Sequence, residues 1–206
     1  MAPTFKRTPE RRFPDFFGMP GWTEKKLGDL FLERVSKGHP NKPVLSASQE
    51  RGVIPYALLE KSVIRDNQNL SGYKLVKSGD FVISLRSFEG GFEYSQYEGI
   101  ISPAYVVLKR AQKIDEDFFR FLFKSDSFVR AVKGMLNNNL RDGKSISYNQ
   151  AKNLRIFVPD LPEQARVAAC LSSIDSLIAV QSRMLSGLKD QKRGLMQQLF
   201  PAPEGG

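Results

Sequence analysis

Up to Pro159 the chain alternates short apolar runs with turn-forming residues, and from Pro162 onward a helical repeat takes over. Residues 42–45, 73–76, 81–85 and 105–108 are compact runs rich in Val, Leu, Ile and Tyr, bounded by Gly, Pro, Ser and Asp, and they read as strands. Ser78-Gly79-Asp80 before the third run and Glu89-Gly90-Gly91 after it are tight-turn chemistry, with glycine supplying the positive φ. From Asp115 the period lengthens: Phe118, Phe119, Leu122 and Phe123, then Phe128, Val129, Val132 and Met135, recur at helical spacing. This predicts two short helices or one bent helix, with Asp115 and either Ser125 or Asp126 as N-caps. A polar stretch follows, and residues 154–158 read as a last strand stopped by Pro159.

The segment 162–200 carries the clearest pattern. Pro162 suits the first helical position, and Glu163 adds favourable charge to the first turn. Val167, Leu171, Ile174, Ile178, Gln181, Leu185, Leu188, Lys192, Leu195 and Leu199 keep an unbroken four-three alternation, with Gln181 and Lys192 its only polar members. That heptad row calls for a partner helix, and polar residues within such a row fix register and partner number. At 1.5 Å per residue the helix would span roughly 57 Å, too long to cap its own domain. The competing pattern, an amphipathic helix folded back along its own domain, fits the length and the strict alternation less well.

The fold class expected is therefore α+β: a mixed α/β globular domain at 22–160 and one long C-terminal coiled-coil helix at 161–200. A Pro- and Arg-rich arm at 1–21 and a disordered tail at 201–206 flank them. A formal charge of +9 over 206 residues points to a polyanionic partner. Cys170 is the sole cysteine, which excludes an internal disulfide and a Cys-based zinc site and suits a reducing cytoplasm. No apolar run long enough for a membrane span is present, and no export signal is expected at the N-terminus.

Several stretches resemble the specificity subunit of type I restriction-modification systems. They are Arg12-Phe13-Pro14-Asp15-Phe16, Trp22-Thr23-Glu24-Lys25-Lys26-Leu27-Gly28, Gly79-Asp80-Phe81-Val82-Ile83-Ser84 and Gly99-Ile100-Ile101-Ser102-Pro103-Ala104-Tyr105. Leu161-Pro162-Glu163-Gln164, Ile174-Asp175-Ser176-Leu177-Ile178 and Lys192-Arg193-Gly194-Leu195-Met196-Gln197-Gln198-Leu199-Phe200-Pro201 complete the resemblance, which covers nearly the whole chain. It implies a non-catalytic subunit that reads one half of a bipartite site on double-stranded DNA. It further implies docking of methyltransferase subunits, which a translocating endonuclease subunit can join. A complete member of that family has two recognition domains and two helical regions, whereas one of each is found here, as in a half-length subunit or a fragment. Two copies pairing their helices antiparallel would restore the two-domain layout as a homodimer.

Base edges are read best by Arg on guanine and by Asn or Gln on adenine, and phosphates by Lys, Arg and hydroxyls. Two loops carry such residues together. The first holds Ser84, Arg86 and Ser87 and returns through Tyr94 and Gln96; the second holds Asn137, Asn138, Asn139, Arg141 and Lys144 and leads to Asn149. Arg65, Asn67, Gln68 and Asn69 form a weaker third set. Glu89 and Glu93 would repel phosphate unless aimed at cytosine N4 or at solvent. For each residue taken singly, a solvated surface position is the simpler reading, and Tyr94 and Tyr97 suit packing.

No enzymatic constellation emerges and no cofactor is implied. A Gly-rich cofactor loop and an Asn-Pro-Pro-aromatic motif are missing from the sequence; Asp15, Glu24 and Lys25 do not have the arrangement of a metal-dependent nuclease; and His39 has no triad partners. Cys170 reads as a packed or half-exposed helix residue. The alternative to a DNA reader is a coiled-coil assembly or regulatory protein without sequence preference.

Overall fold

The computed structural model describes residues 8–59, 70–84, 92–137 and 147–200, with the backbone alone for Ser84 and for 135–137. It divides into two compact units, Met1–Ala165 and Arg166–Gly206. The described residues of the first form ten short strands and four short α-helices before the long C-terminal helix begins. β1 (Thr23–Lys26), α1 (Leu27–Leu30) and β2 (Phe31–Glu33) open it, followed by the hairpin of β3 (Leu45–Ser48) and β4 (Gly52–Pro55). Then come β5 (Lys74–Val76), β6 (Phe81–Ser84), β7 (Glu93–Tyr94), β8 (Gly99–Ile101) and β9 (Tyr105–Arg110). Helices α2 (Glu116–Leu122), α3 (Asp126–Asn137) and α4 (Tyr148–Ala151) precede the last strand, β10 (Arg155–Val158).

Every named strand pairing is antiparallel. The central sheet has the order β2-β9-β6-β7, while β1-β10, β3-β4 and β5-β8 form two-stranded ladders. Parallel bridges from Val44 to Ile100 and from Val53 to Ser95 tie the β3-β4 hairpin to its neighbours.

Alternating strand residues supply one part of the core, where Leu45, Val53, Val76, Val82, Ile101 and Val107 pack together. Phenylalanines supply the other. Phe123, just past α2, has its ring 4.9 Å from Phe81, 4.9 Å from Phe92, 4.8 Å from Phe128 and 5.5 Å from both Phe31 and Phe119. Such edge-on and tilted contacts add to area burial because ring edges meet ring faces. The helical spacing of residues 118–132 is thus the trace of two helices, α2 setting Phe119 against Phe31 of β2 and α3 setting Phe128 against Phe92 and Phe123.

Caps form where the sequence places them. The Asp115 carboxylate accepts from Phe118 N at 2.8 Å and starts α2; Ser125 Oγ accepts from Phe128 N at 3.3 Å beside the start of α3. Gly79 takes φ of +89° in the turn before β6. Two expectations shift. The strand expected at 42–45 begins only at Leu45, because Pro43 has no N–H to give a ladder and Val44 makes a single bridge. The long helix starts at Leu161, the bound expected for it, so Pro162 takes its second position rather than its first; Asp160 Oδ1 accepts from Glu163 N and caps the turn.

The long helix α5 runs Leu161–Leu199, 39 residues without a break. Its first turn, through Ala165, falls in the first unit. In the second unit Ile174, Leu177, Ile178, Val180, Met184, Leu185, Leu188, Leu195, Met196 and Leu199 are all exposed.

Candidate nucleic-acid interface

The first candidate loop leaves from β6 and returns on β7. Its return leg is anchored inward residue by residue: Phe92 packs 5.0 Å from Phe128, and Glu93 pairs with Lys124. The Glu93 side chain is buried, and its Oε2 has no partner among the described residues. Burial pushes this carboxyl above the ordinary range, against the pull of the Lys124 bond. Of the two readings expected for Glu93, cytosine N4 or solvent, neither matches a side chain buried beside its own lysine. Tyr94 packs at a tilt against Phe81, ring centroids 5.3 Å apart, and donates its hydroxyl to Glu116 Oε2 at 2.7 Å. Burial and that bond push its phenol upward. Ser95 is buried and donates to the Tyr97 carbonyl at 2.8 Å. The leg opens to solvent at Gln96, Tyr97 and Glu98, the last held by Lys42 at 2.5 Å, which lowers its pKa.

Ser84 ends β6, its backbone paired with Tyr105. Arg86 and Ser87 lie outside the described residues, as do Asn138, Asn139, Arg141, Lys144, the set Arg65, Asn67, Gln68 and Asn69, and the tail 201–206. Asn137 closes α3. On the far side of that second loop, Ser147 and Gln150 cap α4 reciprocally and Tyr148 donates to the Phe31 carbonyl at 3.1 Å, leaving Asn149 exposed. The described flanks of both loops are therefore rigid stems with a few outward polar groups: Gln96 and Tyr97 on one, Asn149 on the other. Phe92 and Phe128 join the stem of the first loop to α3, the helix that leads into the second.

Several cations are neutralised within the fold. Arg34 forks onto Asp80 at 2.7 and 3.0 Å, and Lys74 holds Glu33 at 3.2 Å. By contrast Lys26, Lys37, Lys77, Lys113, Arg130 and Lys133 are exposed and pair with no carboxylate among the described residues. The net positive charge announces such groups without saying which they are, and no motif marks them. Glu24, weighed above as a metal ligand, pairs with Arg155 at 3.1 Å. His39 Nε2 sits 3.0 Å from Ser36 Oγ in a loop.

The helix-pairing residues divide along α5. Val167 and Leu171 are half-buried, whereas Ile174, Ile178, Leu185, Leu188, Leu195 and Leu199 are exposed. At 100° per residue, Leu177 falls in line with Leu195, and Met184 extends the exposed face to about 120° of the circumference, broader than a strict heptad row. The four-three alternation alone does not pick out those two residues.

Known proteins supply the remaining observation. The chain is 27% identical over 206 residues to the Type I restriction enzyme MjaVIII specificity subunit of Methanocaldococcus jannaschii, covering 93% of this chain and 45% of that protein. It is 26% identical to the Putative type I restriction enzyme MjaX specificity subunit of the same organism, covering 95% and 48%. The chain thus spans about half the length of the curated relatives it matches. The fold is that of the type I restriction-modification S subunit from M. genitalium, with a TM-score of 0.55, 16% identity, and coverage of 92% of this chain and 48% of that one. A type I restriction-modification structure described for complex assembly and conformational transition gives a TM-score of 0.53 at 17% identity, covering 96% and 53%. The family described as Type I restriction modification DNA specificity domain matches residues 19–189, most of the chain, and this protein belongs to that family.

Proposed function

We propose that the chain is a non-catalytic, sequence-specific DNA-binding subunit of a type I restriction-modification complex. Its recognition domain, 22–160, reads one half-site, and α5 serves both as a pairing helix and as a docking surface for methyltransferase subunits. The observation that carries this reading is the joining of two different surfaces in one chain of this family. One is a basic α/β domain whose polar loops spring from rigid stems. The other is a long helix with Ile174, Ile178, Leu185, Leu188, Leu195 and Leu199 exposed in a four-three row. Water-exposed leucines at that period are stabilised when a second helix covers them, by roughly 25 cal/mol for each Å² of apolar surface removed from water.

In this reading the loops around Ser84, Arg86, Ser87, Tyr94 and Gln96, and around Asn137, Asn138, Asn139, Arg141, Lys144 and Asn149, approach the bases. Lys26, Lys37, Lys77, Lys113, Arg130 and Lys133 are available for phosphates, which fix orientation without carrying sequence. With its hydroxyl held by Glu116, Tyr94 would act there through backbone placement of the loop rather than as a free donor.

Two copies joined through α5 read an interrupted palindrome. Light scattering near micromolar concentration tests the pairing: a mass of about twice 23.2 kDa supports it, whereas a 23.2 kDa monomer assigns the helix to another subunit. Selection of a defined bipartite site from random duplexes, with methyltransferase subunit present, tests the reading itself. Partner binding without any selected sequence would make the chain a coiled-coil assembly protein instead.

A further inference from the structure

The turn between β3 and β4 carries three exposed side chains that none of the candidate loops includes: Gln49, Glu50 and Arg51. It is pinned on several sides. Ser48 pairs with Gly52 in the ladder, and Ser48 Oγ accepts from Arg51 N at 3.3 Å. Gly52 takes φ of +69°, and a Cβ there would stand 2.7 Å from the Tyr94 carbonyl oxygen, so glycine is what lets the turn lie this close to β7. Lys124 Nζ donates to the Gln49 carbonyl at 3.0 Å while pairing with the buried Glu93. Because the bridge from Val53 to Ser95 is parallel, the chain leaving the turn at Gly52 runs in the same direction as Tyr94 to Gln96. The tip, residues 49–51, therefore lies on the Glu93 side, at the foot of the first candidate loop.

Side-chain chemistry narrows what this tip can hold. Arg51 Nη1 donates to the Leu58 carbonyl at 3.2 Å, which fixes the guanidinium from one side, and neither Nε nor Nη2 meets an acceptor among the described residues. A guanidinium held at one nitrogen and open along another edge suits a bidentate acceptor, and guanine O6 and N7 form one in the major groove. Glu50 beside it separates base from backbone: a carboxylate repels phosphate but accepts from cytosine N4, and Gln49 is of the type that pairs with adenine. We infer that the β3–β4 turn is a third base-reading element and that Arg51 is a specificity-determining residue, giving its open fork to a guanine of the half-site. This role rests on the DNA-reading function proposed above.

The test is selection from random duplexes by the full chain with methyltransferase subunit present. Affinities for the selected duplex and its single-base-pair variants are then measured at one salt concentration. The unmutated chain is expected to require guanine at one position of the half-site. Arg51→Ala should lower discrimination at that base pair about tenfold or more and leave the other positions as they were. Arg51→Lys keeps the charge and loses the fork, so it should relax the same base pair while retaining affinity for unrelated duplex; it serves if Arg51→Ala does not fold. A selected half-site without guanine overturns the role of Arg51. So does an unchanged base profile in a variant whose thermal unfolding matches the parent, even where affinity falls for every sequence alike, as loss of a phosphate contact would give. In both cases the DNA-reading function stands. If the unmutated chain selects no sequence at all, that function falls and the role of Arg51 falls with it.

Discussion

Phe123 and Phe17 show how far one residue type can differ in weight. Phe123 touches five other phenylalanine rings and is fully buried, whereas Phe17 is 68% exposed. Phe123→Ala is expected to cost roughly 3–5 kcal/mol in denaturant unfolding, and Phe17→Ala to stay within about 0.5 kcal/mol. The two buried acids pull stability in opposite directions with pH. Glu93 has a raised pKa, so the folded state holds its proton more tightly than the unfolded chain does. Its contribution is full below the ordinary carboxylate pKa and is lost as pH rises through the folded value. Burial alone would raise the Glu163 carboxyl; the Arg12 and Trp22 bonds outweigh it and hold it below the ordinary range, so its contribution is present above that range and lost as pH falls through the folded value. Unfolding midpoints followed across pH should therefore decline less on the rising side in Glu93→Gln, and less on the acid side in Glu163→Gln.

Elements respond to their ends and turns. Asp115→Ala removes the acceptor for Phe118 N and is expected to cost about 1 kcal/mol by thermal unfolding. Gly79→Ala meets two obstacles, the positive φ and the Glu116 Oε1 lying 2.9 Å from where a Cβ would stand. It should cost roughly 1–3 kcal/mol, whereas Gly187→Ala in α5, with open space at its Cβ, should gain up to about 1 kcal/mol. These same ends and turns were the legible part of the sequence. Asp115, the Gly79 turn, the spacing of residues 118–132 and the four-three row of α5 all carry local signals, set by neighbours three or four positions away. Strands β1, β2, β4, β7 and β8 carry none of comparable strength. They are two to four residues long, and what holds them is pairing with distant segments, as Lys25 pairs with Ile156. The candidate site was legible as loops rich in Asn, Arg and Lys. That Glu93 and Tyr94 turn inward was not, because it depends on where Lys124 and Glu116 sit, 31 and 22 residues further on.

At the scale of the whole molecule, the exposed row on α5 and the basic domain make separate predictions. Leu185→Asp with Leu188→Asp should abolish pairing, read as a fall in mass by light scattering, while the domain's thermal unfolding stays unchanged; a mass that does not fall assigns pairing to another surface. The ladder of β1 with β10 has a further consequence, which lies in time. Thr23–Lys26 meets Arg155–Val158, so among the described residues the first strand of the domain forms its ladder with the last alone. At about 5–20 residues per second of synthesis, β1 waits on the order of 10 s for its partner to leave the ribosome. Over that interval the edge of β1 has no native partner. The nascent chain is most open to chaperones and proteases in that window, and the domain closes late, as a ring of contacts whose first and last links meet together.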